Sequence, residues 1–111
     1  MRENTFLITA YVIDTAKGIP AQRIPVELDY LITGQGWREV GHSVTSREGR
    51  IPEFGEPPAA GVYRLMFDVA AYMPHCFFPT VMVMLEVQDP SEDHHVILQV
   101  SNFGYSVSRI A

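Results

Sequence analysis

The sequence predicts an all-β fold, a sandwich of two packed sheets. Short runs rich in Val, Ile, Thr, Tyr and Phe recur at intervals of about ten residues, and Gly, Pro or Asp residues separate them. The chain has 111 residues, of which 47% are hydrophobic. This length suits one domain with one core, so we expect residues 1–111 to form a single unit. Such a domain can bury its core without disulfides or a structural metal.

Seven strands are predicted in order along the chain. Sequences that favour turns, such as Gly34-Gln35-Gly36 and Asp89-Pro90, separate neighbouring strands. One short helix is predicted over residues 68–73, because Asp68 can cap its first turn and Pro74 would end it. The predicted strands cover residues 6–14, 24–32, 37–45, 61–67, 80–87, 94–100 and 105–110.

Alternation along the strands predicts which side of each strand faces the core. In the strand at residues 94–100, Val96 and Leu98 lie on one apolar side, whereas His95 and Ile97 lie on the other, mixed side. We expect the mixed side to face solvent, a ligand or a second subunit.

Methionines are predicted to fill the core, since their flexible side chains adapt to irregular gaps. Met82 and Met84, however, share one side of their strand with Thr80 and Glu86. A neighbouring subunit is the expected cover for that side.

Composition and charge exclude several classes of protein. The formal net charge is −5, and the eight basic residues are scattered, so nucleic acid is not an expected partner. No apolar run approaches the roughly 20 residues that span a membrane, and the first residues do not resemble a signal peptide. We therefore expect a soluble cytoplasmic protein. Cys76 is the single cysteine, which fits a reducing compartment.

The common catalytic, nucleotide-binding and zinc-binding motifs are missing from the sequence. Adjacent His94 and His95 point to opposite sides of a strand, so they cannot both ligate one metal ion, and no metal or cofactor is expected. Cys76 is followed in the sequence by two phenylalanines, so we expect its thiol to be unreactive. Arg50 follows a turn glycine, Gly49, and either carries its guanidinium into a cleft or is a solvated loop residue.

Three stretches of the sequence resemble the transthyretin-like family, whose enzyme branch is 5-hydroxyisourate hydrolase. They are ITAYVIDTAKGIPA at residues 8–21, Gly49-Arg50 with GVYRL at residues 61–65, and the run 78–106 with its closing FGYS. The resemblance implies a transthyretin-like β-sandwich of seven or eight strands with one short helix. It also implies a homotetramer, a dimer of dimers, with a small-molecule site in a central channel.

The resemblance implies a set of site residues as well. In the hydrolases, a first-strand His, the Arg after the turn glycine, the second His of a His-x-His-Val pattern and a terminal Tyr-Arg-Gly-Ser open a strained, planar, purine-derived ring with water. Arg50 and His95 match this pattern, and Asp93 replaces its first His. We therefore expect Arg50 and His95 to be catalytic.

Other positions depart from the hydrolase pattern. Tyr11 stands in place of the first-strand His, and the last four residues, 108–111, read Ser-Arg-Ile-Ala. Tyrosine has a pKa of about 10, so Tyr11 is expected to act as an acid or orienting group instead of a base. Ser108, Arg109 and the carboxylate of Ala111 are expected to bind substrate.

Three functions remain open from the sequence. The first is an enzyme with a modified site that acts on a different cyclic amide or related heterocycle. The second is an authentic 5-hydroxyisourate hydrolase with His95 as its sole base. The third is a non-catalytic ligand-binding protein. All three remain open because the fold supports them equally.

Overall fold

A computed structural model describes residues 6–110, and these residues form two β-sheets that pack face to face. The all-β prediction is confirmed, and all seven predicted strands are present, with ends that differ by up to two residues. Two further strands of two residues each were not predicted. The strands in chain order are β1 Ile8–Asp14, β2 Ile19–Pro20, β3 Pro25–Ile32, β4 Gly36–Val44, β5 Arg50–Ile51, β6 Gly61–Asp68, β7 Thr80–Val87, β8 His94–Val100 and β9 Tyr105–Ile110.

The first sheet has the order β2-β1-β8-β9, and β5 also pairs with β1. The second sheet has the order β4-β3-β6-β7. Strands β1 and β8 run parallel, whereas the other pairs are antiparallel. This topology brings the first strand of the chain between β5 and β8, so residues distant in sequence become neighbours on one sheet.

The core lies between the two sheets and is built from alternate residues of the strands. Val96 and Leu98 face it, as predicted, and on β6 the side chains of Tyr63, Leu65 and Phe67 are fully buried. The opposite side of each strand is more exposed, as the period of two residues requires. Each sheet therefore has one buried face and one open face.

The predicted helix is shorter than expected. A single 3-10 turn covers Val69–Ala71, and Asp68 makes no side-chain capping bond, so the predicted cap was wrong. Asp68 is still the last residue of β6, where it pairs with Thr80. The Asp68 side chain is exposed and makes no hydrogen bond to the amides of the turn.

A polar contact joins this turn to the first strand. The Tyr72 hydroxyl donates a 2.8 Å hydrogen bond to Asp14 Oδ2, and Asp14 is completely buried. Burial and this hydrogen bond raise the pKa of Tyr72 to about 12. The buried carboxylate is thereby satisfied, which fixes the turn against the end of β1.

The methionines behave differently from one another. Met73 is buried, as predicted, whereas the side chains of Met82 and Met84 are 52% and 61% exposed in the single chain, so the core-filling prediction was wrong for these two. They lie on the open face of the second sheet because alternate residues Val81 and Val87 face the core. Within residues 6–110, no helix is long and apolar enough to cross a membrane.

Candidate functional site

The open face of the first sheet brings together residues from four strands. Tyr11 on β1 pairs with Arg50 on β5, and on its other side it pairs with Ile97 on β8. Ile97 in turn pairs with Ser108 on β9. Because paired residues point to the same side of a sheet, these four side chains form one row.

A second row lies beside the first. It consists of Thr9 on β1, His95 on β8 and Ile110 on β9, which are directly paired across the strands. Since Thr9 is two residues before Tyr11, both rows occupy the same face. The structure therefore places the predicted residues Arg50, Tyr11 and His95 on one surface.

The turn before Arg50 fixes the position of that residue. Gly49 has φ +76°, and its carbonyl oxygen accepts a 2.8 Å hydrogen bond from the Val12 amide. A Cβ atom at Gly49 would lie 2.5 Å from the Val12 carbonyl oxygen, which is closer than carbon and oxygen atoms can approach. Ser46 Oγ also accepts a hydrogen bond from the Arg50 amide. Glycine is thus required for the turn to lie against β1 and deliver Arg50 to Tyr11.

Arg50 and Tyr11 are in direct contact. The guanidinium carbon of Arg50 lies 4.1 Å from the centroid of the Tyr11 ring. This distance is within the range of a cation–π interaction, which contributes about 0.5–1 kcal/mol at an exposed site. The contact keeps a positive charge over the tyrosine on the open face, where it can meet an anionic or carbonyl oxygen of a ligand.

His95 is half-buried in this face, and its imidazole is held by β1. Its Nδ1 atom lies 2.7 Å from the Thr9 hydroxyl oxygen. His94 faces the other way, is buried, and packs edge-on against Phe6. The two histidines thus point to opposite sides of β8, as the strand period predicts.

The residues near the end of the chain are divided between the two sides of β9. Ser108 lies on the site face, whereas Arg109 pairs with Val96, whose side chain faces the core. Arg109 forms an exposed ion pair with Glu92, with 3.3 Å between Nη2 and Oε2. The predicted residue Ala111 lies outside the described residues.

Arg109 nevertheless shares a depression with His95. A cavity of about 600 Å³, located where β8 begins and β9 ends, is lined by Glu92, Asp93, His95 and Arg109. Asp93 Oδ1 accepts a 2.8 Å hydrogen bond from the Leu7 amide, so this carboxylate fastens the segment before β1 to the start of β8. The depression therefore has one guanidinium, two carboxylates and one imidazole on its walls.

Sequence reasoning missed Thr9 as a member of the site. The alternation of β1 places Thr9 on the same side as Tyr11, but its neighbour across the sheet is 86 residues away. Only the parallel register of β1 and β8 shows that it meets His95. In the part of the chain that the structure describes, no group of three or more His, Cys, Asp and Glu side chains is placed to hold a metal ion.

The two sheets define a protein of the transthyretin fold. The crystal structure of sea bream transthyretin in complex with thyroxine superimposes with a TM-score of 0.87, at 23% identity, over 94% of each chain. The HIUase/Transthyretin family matches residues 8–109. The chain therefore belongs to the HIUase/transthyretin family.

Two relatives show how the chain compares in length. The 5-hydroxyisourate hydrolase of Mus musculus is 33% identical over 109 residues, which cover 92% of each chain. The uric acid degradation bifunctional protein TTL of Arabidopsis thaliana is 34% identical over 117 residues, which cover 92% of this chain and 36% of that protein. The chain thus spans little more than a third of the Arabidopsis relative but nearly all of the mouse relative.

Proposed function

We propose that the chain is a hydrolase of the 5-hydroxyisourate hydrolase type, with a modified site, that opens a cyclic amide or related planar heterocycle. The observation that carries this proposal is the presence of Arg50 and His95 on one open sheet face, on either side of Tyr11. The family membership and the name of the mouse relative support the same class of reaction.

The chemistry assigned to these residues is a hydrolysis. His95 takes a proton from water, and the water oxygen attacks the ring carbonyl carbon. The Arg50 guanidinium stabilises the negative charge that develops on the carbonyl oxygen. The ring C–N bond then breaks, and the proton on His95 passes to the leaving nitrogen. Tyr11, whose hydroxyl is a weak acid, donates a hydrogen bond that orients the ring.

The residues near the chain end complete the proposed site. Ser108 lies in the same row as Tyr11 and is exposed, so its hydroxyl is available to a substrate oxygen or to the attacking water. Arg109 lines the depression next to His95, where its guanidinium could donate hydrogen bonds to a substrate oxygen in place of its exposed ion pair with Glu92. We assign Ala111 to the same substrate-binding set.

We further propose that the site is completed in a cytoplasmic homotetramer, a dimer of dimers. Among the described strands, β7 and β9 each have a paired neighbour on one side only, and edges of this kind favour pairing with another chain. Large apolar side chains are exposed beside these edges, namely Phe77, Phe78, Met82, Met84 and Tyr105. Their burial in an assembly would leave the open face of the first sheet as the wall of a channel.

The test of the activity uses 5-hydroxyisourate, generated from urate by urate oxidase, and follows its ultraviolet absorbance. Decay well above the spontaneous rate, lost by about 10²-fold or more in His95→Gln and in Arg50→Gln, is the outcome expected of an authentic 5-hydroxyisourate hydrolase, whereas a modified site should accelerate this decay weakly or not at all. His75→Gln and Arg47→Gln are matched controls, because both residues are exposed and lie outside the site.

The outcomes separate the candidate substrates. If the protein does not accelerate this decay, 5-hydroxyisourate is not its substrate, and a panel of hydantoins and lactams should then reveal turnover that requires His95 and Arg50. Turnover of one of these rings, lost in both variants, is the outcome expected of a modified site. Tyr11→His should raise the rate with 5-hydroxyisourate, since it supplies the imidazole of the hydrolase pattern.

A ligand-binding function without turnover is the second candidate. It is favoured by the apolar residues Ile97 and Ile110, which lie beside Tyr11 and His95 on the same face. Calorimetry with an unhydrolysed ring analogue distinguishes the two functions. Tight binding that survives both His95→Gln and Arg50→Gln, with no turnover of any ring, would favour the binding protein.

A further inference from the structure

The hydroxyl of Thr9 determines which imidazole nitrogen of His95 is available to the site. Parallel pairing of β1 and β8 places the two residues side by side on the open face. The 2.7 Å separation of Thr9 Oγ1 and His95 Nδ1 is that of a good hydrogen bond. Because Nδ1 is occupied by this contact, Nε2 is the nitrogen left for water or substrate.

The direction of the hydrogen bond decides what Nε2 can do. A neutral imidazole carries one N–H donor and one nitrogen lone pair. If Nδ1–H donates to the Thr9 oxygen, Nε2 has the lone pair and can accept a proton from water. If the hydroxyl donates to Nδ1, Nε2 carries the hydrogen and cannot act as a base. The second arrangement is the one that free histidine prefers.

We propose that Thr9 is a positioning residue whose Oγ1 accepts a hydrogen bond from His95 Nδ1–H and so directs the Nε2 lone pair into the site. This inference rests on the function proposed above, in which His95 removes a proton from water. The same hydrogen bond persists when His95 becomes the imidazolium, because Nδ1 is a donor in both forms. The ring therefore keeps one orientation while Nε2 gains and loses its proton.

Threonine suits this role for a reason of geometry. Its branched Cβ restricts the χ1 torsion on a strand, so the hydroxyl has few positions and stays beside the imidazole. Partners that orient a functional histidine in this way change activity by about 10- to 100-fold when removed from metal sites, and we expect a similar scale here.

The test compares Thr9→Val, which keeps the branched shape and removes the hydroxyl, with Thr9→Ser, which keeps the hydroxyl. Nitrogen-15 NMR of histidine-labelled full-length protein, with His95 assigned by its absence in His95→Gln, reads the tautomer directly. In the wild type with neutral His95, we expect a protonated Nδ1 and a bare Nε2. Thr9→Val should move the proton toward Nε2, and Thr9→Ser should retain the wild-type tautomer.

The activity measurement is separate from the NMR measurement. Thr9→Val should lower kcat about tenfold with little change in KM, and Thr9→Ser should restore most of it. A wild-type Nδ1 without a proton, or a Thr9→Val protein with an unchanged tautomer, would overturn the inference. A wild type that hydrolyses no ring would instead overturn the proposed function, while the NMR comparison would still decide which group holds Nδ1.

Discussion

Replacing Gly49 with alanine tests how the turn before Arg50 is held against the sheet. Gly49 combines a φ of +76° with a close backbone neighbour, the Val12 carbonyl oxygen, at 2.5 Å from the position of a new Cβ atom. Gly34 provides a matched control, because it has a φ of +80° and no heavy atom within 4 Å of the same position. The two alanine variants therefore share the backbone strain and differ in the steric clash.

The expected cost of each variant follows from these contacts. Alanine in the left-handed region costs about 1–2 kcal/mol, so Gly34→Ala should lower the free energy of unfolding by about 1 kcal/mol. Gly49→Ala adds overpacking of about 1–3 kcal/mol and weakens the hydrogen bond from the Val12 amide, worth about 1 kcal/mol. We expect a total loss of about 3–5 kcal/mol for Gly49→Ala.

Urea unfolding of both variants at one fixed protomer concentration measures the difference, because assembly would otherwise shift the apparent stability. We expect the m-values to stay equal and the midpoint of Gly49→Ala to fall further. Its catalytic rate should also fall, since Arg50 is the next residue along the chain. Equal losses of stability in the two variants would refute the argument that Gly49 is required by its contact with β1.

Further predictions concern three side-chain contacts. The Tyr11→Leu and Arg50→Met variants, combined in a double-mutant cycle of urea unfolding, should show a coupling of about 0.5–1 kcal/mol, and a coupling near zero would mean that their stacking adds no stability. Tyr72→Phe should cost about 1–3 kcal/mol, because it removes the donor to a buried carboxylate. Since burial raises the Tyr72 pKa from 10.0 to about 12, the stability from its phenol is complete below pH 10 and is lost as the pH rises toward 12, which alkaline unfolding of wild type and variant can compare. The hydrogen bond that His42 Nδ1–H donates to Glu39 raises the pKa of His42 above 6.5, so the small stabilisation from this exposed pair is present below pH 6.5 and is lost as the pH rises through the raised value. Proton NMR should find a lower His42 pKa in Glu39→Gln, and an unchanged value would contradict the assigned cause.

The strands were predictable where the sequence itself alternates, and not where pairing alone defines them. β8 shows the period of two over its full length, so both its bounds and its buried side follow from the residues. β5 has only two residues, Arg50 and Ile51, and is a strand because β1 lies beside it. A contact between segments so far apart in the chain leaves no periodic signal in either of them.

The candidate site shows the same division. Alternation gives the side of the strand on which His95 and Tyr11 lie, and the turn glycine marks Arg50. Which residues lie next to them depends on how β1 pairs with β8. The alternation within each strand does not give this pairing, since 86 residues separate Thr9 from His95. The sequence assigned Ser108 and Arg109 to one substrate-binding set. In the structure, Arg109 pairs with Val96 and so lies on the opposite side of β9 from Ser108.

Strand pairing in the first sheet also places positions that match the hydrolase pattern next to positions that depart from it. Tyr11, which departs, stacks on Arg50, which matches, and Ile110, which departs, is paired with His95, which matches. These two departures thus lie against the Arg50 guanidinium and the His95 imidazole. In the proposed site, such changes would alter the shape and polarity around a bound ring while Arg50 and His95 stay in place. We therefore expect these changes to affect which ring is bound more than which kind of bond is broken. Tyr11→His and Ile110→Gly should change the ratio of the kcat/KM values for two different rings. His95→Gln should lower kcat/KM itself for every ring.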